Sequence, residues 1–165
     1  MLSGSDNYCT LFVYSKYYAY LCSKIGTMTR QEFSSILLEH RKSSGTAIKD
    51  LCFRLDCMPT GIYRIENGSH NYNMQKCLAY TKAVGVSVVL ENETFCTEVK
   101  DYDHMIAVLH DLRCSMMSQA QLANSSGISR NMIGKIETRK SIVTIDMLLR
   151  LVAVFGLSIK IIAHE

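Results

Sequence analysis

The residues of this 165-residue chain best equipped for chemistry lie between Arg113 and Lys140. Five cations, Arg113, Arg130, Lys135, Arg139 and Lys140, stand there against Glu137 alone, a local basic patch in a chain whose net charge is only +3. Arg130, Asn131, Gly134 and Lys135 fall at helical spacings that share one exposed stripe. That stripe offers hydrogen-bond donors to a polar or anionic surface, and Gly134 lets such a surface come close. A charge run is by itself only a solvated face, so the pattern around it must carry the argument.

Catalytic chemistry finds no comparable cluster. His40, His70, His104, His110 and His164 are scattered, and there is no G-x-S-x-G elbow, phosphate-cradling glycine loop or outstanding carboxylate pair, so no enzyme and no cofactor are expected. The seven cysteines, Cys9, Cys22, Cys52, Cys57, Cys77, Cys96 and Cys114, form no C-x-x-C pair, which argues against a zinc site, and their odd number disfavours a complete disulfide framework. Cys52 and Cys77 occupy apolar helical positions and read as buried reduced thiols.

The elements that position the stripe are written in Ser118 to Glu137, SQAQLANSSGISRNMIGKIE. This is the spacing of two short helices locked around a tight turn. Leu122 and Ala123 fill one side of their contact and Ile133 and Ile136 the other, Gly127 permits the turn, and Ser129 caps the second helix. The same pattern recurs earlier in worn form. Laying Ile65-Glu66 on Ile136-Glu137 gives an offset of 71 residues, which also superposes Leu51 on Leu122, Ile62 on Ile133, Leu78 on Leu149 and Gly85-Val86-Ser87 on Gly156-Leu157-Ser158 without a gap. Each unit is only roughly sixty residues, so each gains stability by burying surface against the other.

Unit one reads as helices over 30–42, 47–53, 59–66 and 74–84, then the strand VSVVLE, 86–91. Thr29-Arg30-Gln31-Glu32 is a capping box, Pro59 suits a first helical position, Asn67-Gly68 is a stop, and Asn73 a cap. Unit two repeats this with helices over 102–113, 119–124, 130–137 and 145–155 and the strand LSIKIIA from Leu157, in which Leu157, Ile159 and Ile161 face inward. A hairpin strand is placed at 94–99. A lone strand cannot satisfy its own backbone, so each needs a partner. Pairing of 86–91 with 157–163 makes the chain a pseudo-dimer; the alternative is a homodimer formed through the same strands of two chains. The domain division is an N-terminal extension 1–27, unit one 28–92, a linker or hairpin strand 93–101, and unit two 102–165.

Composition fits a helical globular chain, with 48% apolar and 20% charged residues, one Pro and no Trp. Leu11 to Cys22, LFVYSKYYAYLC, is interrupted by Lys16 and shorter than the about 20 residues of a membrane span. Asp6 and the absence of positive charge before it fit a signal peptide poorly. No membrane association is expected. Met28 is the expected biological start, with 1–27 upstream sequence or a loosely ordered arm.

Leu112-Arg113, Ser118-Gln119, Leu122-Ala123, Gly127-Ile128-Ser129 and Ile133 to Ile136-Glu137 resemble the lambda-repressor-like, Cro-type (XRE) helix-turn-helix family over about 106–156. Unit one resembles it through Leu51, Ile62, Ile65-Glu66 and Gly68, and helical units ending in a dimerising strand look most like the HipB-type antitoxin branch. The resemblance implies a mainly α fold of two such domains, each ending in a short strand, the strands paired in a small sheet. It implies double-stranded DNA as partner and insertion of the helix 130–137 into the major groove. Arg130, Asn131 and Lys135 match the base-reading positions, in agreement with their chemistry: Arg and Lys donate to guanine O6 and N7, and Asn bonds adenine bidentately. Gln119 matches the backbone-contacting glutamine, and Arg113, Arg139 and Lys140 are cast as phosphate contacts. Glu137 is read as structural, paired to Arg113, because a carboxylate repels phosphate.

Unit one departs from this pattern, with Ile48 for Gln119, Asp56 for Gly127, Pro59 for Arg130 and Thr60 for Asn131. Arg64 alone keeps a cation, opposite Lys135. Thr60, Arg64 and Lys42 are second-site DNA candidates, and Arg41, Lys49 and Arg54 offer further backbone contacts. Unit one is a scaffold or reads a different half-site. The functional expectation is a sequence-specific transcriptional regulator, cytoplasmic and nucleoid-associated. The alternative is an antitoxin-like module that binds a toxin protein and uses DNA binding for autoregulation.

Overall fold

The computed structural model describes residues 28–164; the expectations for 1–27 lie outside them. Among the described residues eight helices and three strands follow in the order α1 (Arg30–Ser44), α2 (Ile48–Leu55), α3 (Pro59–Asn67), α4 (Met74–Ala83), β1 (Val86–Glu91), β2 (Cys96–Val99), α5 (Tyr102–Met116), α6 (Gln119–Ser126), α7 (Arg130–Glu137), α8 (Ile145–Val154) and β3 (Ser158–Ala163). None of these helices is long and apolar enough to cross a membrane.

The helix starts are set by local hydrogen bonding. Thr29 and Glu32 close a capping box on α1, Ser118 and Gln121 another on α6, and the side chains of Asn73, Asp101 and Ser129 cap α4, α5 and α7. A left-handed residue ends α1, α2, α3 and α6. Gly127 does this after α6 with φ +67°, and at the matching place after α2 Asp56 takes φ +45°, a conformation that Asp tolerates better than most side chains. Five helices, α1, α2, α3, α5 and α6, outrun their expected ends by one to three residues. Cys114-Ser115-Met116 contains no breaker, so α5 continues until Met117 turns extended, and α6 continues to its glycine cap.

The sheet has the order β2-β1-β3, antiparallel throughout. β1 is central and its Val86, Val88, Val89 and Leu90 are buried, whereas the short edge strand β2 is mostly open to solvent. The stretch expected as a strand over 94–99 is a strand only from Cys96, because Asn92 Oδ1 accepts from the backbone N–H of Thr94 and Phe95 and makes those residues a turn. The linker span 93–101 thus contributes a strand to the sheet. β1 pairs with β3 of the same chain, from Val86 opposite Ala163 to Glu91 opposite Ser158.

Phe33, Leu37, Leu51, Ile62 and Met74 join Met105, Ile106, Ile145 and Leu148 in a single buried cluster, so the helices before and after β2 share one core. A second seam is polar. Arg30 Nη1 donates to both carboxylate oxygens of Asp146 at 2.8 and 2.6 Å and Arg30 Nε donates to the Gly68 carbonyl at 2.7 Å, tying α1 to α8 and to the end of α3.

Candidate nucleic-acid interface

The α6–α7 pair is held from beneath by Leu122, Ile133 and Ile136, packed with Ile106, Leu109, Leu151 and Phe155. Ser126 Oγ donates to the Leu122 carbonyl at 2.7 Å and accepts from the Ile128 N–H at 3.3 Å, which stitches the turn between the helices. Ser129 Oγ accepts from the Met132 N–H and starts α7 at Arg130. The outer face of α7 then carries Arg130, Asn131 and Lys135, all exposed.

That face borders an open concavity of about 510 Å³ lined by Gln119, Arg130, Asn131, Gly134, Lys135, Thr138 and Lys140. No acid lines it. Arg139 brings Lys140 there: its backbone turns left-handed with φ +58°, and the Lys140 N–H returns to the Lys135 carbonyl at 2.7 Å. The concavity therefore gathers the three expected base-reading residues with two of the four expected phosphate contacts, Gln119 and Lys140. Thr138, which sequence reasoning passed over, also lines it; its hydroxyl donates to the Gly134 carbonyl at 2.8 Å. Its position one helical turn beyond Gly134 was the available signal.

The other two expected phosphate contacts lie elsewhere. The Arg113 guanidinium is turned inward, with Nε donating to Glu137 Oε1 and Nη2 to Glu137 Oε2, the pairing expected from the sequence, and both side chains are nearly buried. Hydrogen bonding to Glu137 holds Arg113 above its ordinary pKa. The same carboxylate accepts from Gln119 Nε2 at 2.6 Å, so the Gln119 amide has one N–H committed and its carbonyl oxygen and second N–H remaining. Arg139 is exposed, but its Nε donates to Asp103 Oδ1 on α5 at 2.7 Å, away from the concavity.

The corresponding part of α2–α3 is built on the same carboxylate and finished differently. Glu66 accepts from Arg41 Nε and Nη2 and, at 2.8 Å, from the Tyr80 hydroxyl. Arg41 was expected among the backbone contacts; it is instead a nearly buried structural cation. Ile48 stands where Gln119 does, so no amide reaches from Glu66 to the surface. On the outer face of α3, Pro59, Thr60, Tyr63 and Arg64 are exposed, as is Met58 before it, and Lys42 is exposed in the last turn of α1. Among the described residues no three His, Cys, Asp or Glu side chains come together as a metal site.

The helix-turn-helix family model matches residues 109–162, which span the end of α5 through β3 and contain the whole concavity. The match covers about a third of the chain, and over that segment the chain is similar to the helix-turn-helix family. No curated protein and no solved structure matches the chain.

Proposed function

We propose that the chain is a sequence-specific double-stranded DNA-binding transcriptional regulator that lays α7 in the major groove. The observation that carries this reading is the acid-free concavity, which joins the donors of Arg130, Asn131 and Lys135 to the amide of Gln119 and the cation of Lys140 inside the matched helix-turn-helix segment. Arg130, Asn131 and Lys135 read bases; Gln119, Lys140 and the outlying Arg139 grip phosphates.

We further read residues 28–92 as a degenerate copy of the domain at 102–165, the two forming a pseudo-dimer. Support comes from the backbone. Met74 N–H donates to the Val143 carbonyl at 2.9 Å, and Ile145 N–H donates to the Tyr72 carbonyl at 3.0 Å. Each of these four residues is the 71-residue counterpart of another in the set, so the two bonds are copies of one another, as across a two-fold axis.

Titration of a labelled duplex at several salt concentrations tests the reading. Affinity is expected to fall steeply with salt, and Lys140→Ala to lower the logarithmic slope by about one while weakening all duplexes alike. Binding that ignores salt, or no binding by the full chain, would overturn it.

A further inference from the structure

Unit one has exchanged hydrogen-bond donors for apolar surface, and it has done so on the face that corresponds to the reading face of α7. Met58, Pro59, Thr60, Tyr63 and Arg64 stand at the 71-residue counterparts of Ser129, Arg130, Asn131, Gly134 and Lys135. Met58 is 73% exposed and Tyr63 50%, among the most open large hydrophobic side chains of the described residues. Lone exposed hydrophobics are ordinary, but two on the outer face of one nine-residue helix and its cap are informative. The acid of α3, Glu66, is buried against Arg41 and Tyr80, so the outer face presents no carboxylate to repel phosphate, and Arg64 remains on it.

This inference rests on the DNA reading above. A protein with a two-fold axis meets a duplex on one of the duplex's own two-folds, which brings the counterpart of a docked helix to the next half-site. A duplex seated on α7 is thereby offered to α3. The apolar group of the major groove is the 5-methyl of thymine. We propose that α3 reads the second half-site of the same duplex through thymine methyl groups, Met58 and Tyr63 seating against them and Arg64 adding a polar contact. The site then has unlike halves, one read by hydrogen bonds and one by apolar contact.

The test uses the full chain and a duplex selected from a random pool, with thymines replaced one at a time by deoxyuridine, which removes only the methyl group. Each replacement in the second half-site is expected to weaken binding about fourfold, the worth of one buried methyl. Met58→Ser with Tyr63→Ser is expected to bind more weakly and to be indifferent to the exchange. Both positions are exposed, so an unchanged thermal melt checks that the variant is folded. Phe53→Ser, at an 89% exposed site on α2 that corresponds to Asn124 and not to the reading face, is expected to behave as the parent chain. Indifference of the parent chain to deoxyuridine, or a selected site with a single half, would overturn the proposal while leaving the reading by α7 intact. So would light scattering in which Tyr63→Ser splits a dimer and the thymine preference persists, since a second copy would then be what covers α3. No enriched sequence at all would overturn the DNA reading itself.

Discussion

Val89 of β1 and Lys160 of β3 face each other in the antiparallel pair, and they are 71 residues apart, the offset that lays Leu51, Ile62 and Ile65-Glu66 on Leu122, Ile133 and Ile136-Glu137. Asn73 and Thr144, the residues that precede α4 and α8, form an isolated antiparallel bridge with the same separation. Antiparallel pairing of a position with its own counterpart is what an axis of two-fold symmetry requires of the residues lying on it. The relation is what the proposal for α3 rests on, since a duplex seated on α7 would meet α3 through the same axis.

Arg130 is exposed at the first turn of α7 and makes no contact that the fold needs. Arg130→Ala is therefore expected to leave the melting temperature unchanged, to cost about 1–3 kcal/mol of binding, and to relax preference at one base pair. Anisotropy titrations on a set of single-base-pair variants would show it; equal weakening on every duplex would reassign Arg130 to phosphate.

The two Arg–Glu pairs are expected to matter for stability in the order of their burial. Glu66 is 5% exposed and bonded to Arg41 and Tyr80, while Glu137 is 12% exposed and bonded to Arg113 and Gln119. Removing a carboxylate from such a pair strands a cation, at a cost of about 3 kcal/mol. In urea unfolding Glu66→Ala is expected to lose at least as much as Glu137→Ala.

Burial pushes the hydroxyls of Tyr72 and Tyr80 and the thiol of Cys77 above their ordinary ranges, and hydrogen bonding to Glu66 pushes Tyr80 further. For an acid whose folded pKa is raised, the unfolded chain gives up its proton first. The contribution is thus complete below the unfolded pKa and lost as pH rises, beginning near about 8.5 for the thiol and about 10 for the phenols. Stability should decline above about pH 8.5 and more steeply above about 10, and Tyr80→Phe should flatten the steeper part.

Arg139 takes a left-handed backbone that favours glycine, and its ion pair with Asp103 is exposed and weak. Arg139→Gly is expected to be more stable than Arg139→Ala by about 1 kcal/mol in the same unfolding assay. Gly68 makes the opposite case. Its φ is +60° and an added Cβ would stand 2.8 Å from Ser34 Oγ, so Gly68→Ala should cost more than Gly127→Ala, where the φ is similar but the space is open.

The sequence announced those parts of the fold whose cause is local. α7 runs over the expected residues because Ser129 caps it, and β1 does so because a left-handed Gly85 separates it from α4. What escaped depends on distant partners. The pairing of Arg113 with Glu137 is legible in the sequence, but Arg41 reads there as a surface cation because nothing in its own helix says that it points inward. The available signal for Arg41 was the pair already read in the second unit: Glu66 is the 71-residue counterpart of Glu137, and an arginine stands near the end of each unit's first helix. The register of β1 on β3 was equally out of reach, since two β-branched strands can slide against each other on pattern alone. Within the site, the helical spacing of Arg130, Asn131 and Lys135 was enough to bring them together, while Lys140 reaches the concavity through the left-handed turn at Arg139, which no composition rule foretells.

Selection of binding sites from a random duplex pool by the full chain is the most direct measurement. The expected result is an enriched site with two half-sites about one helical turn apart, one of them losing its preference in Arg130→Ala and the other in Met58→Ser with Tyr63→Ser. A pool that emerges without enrichment would contradict sequence-specific DNA binding by this chain.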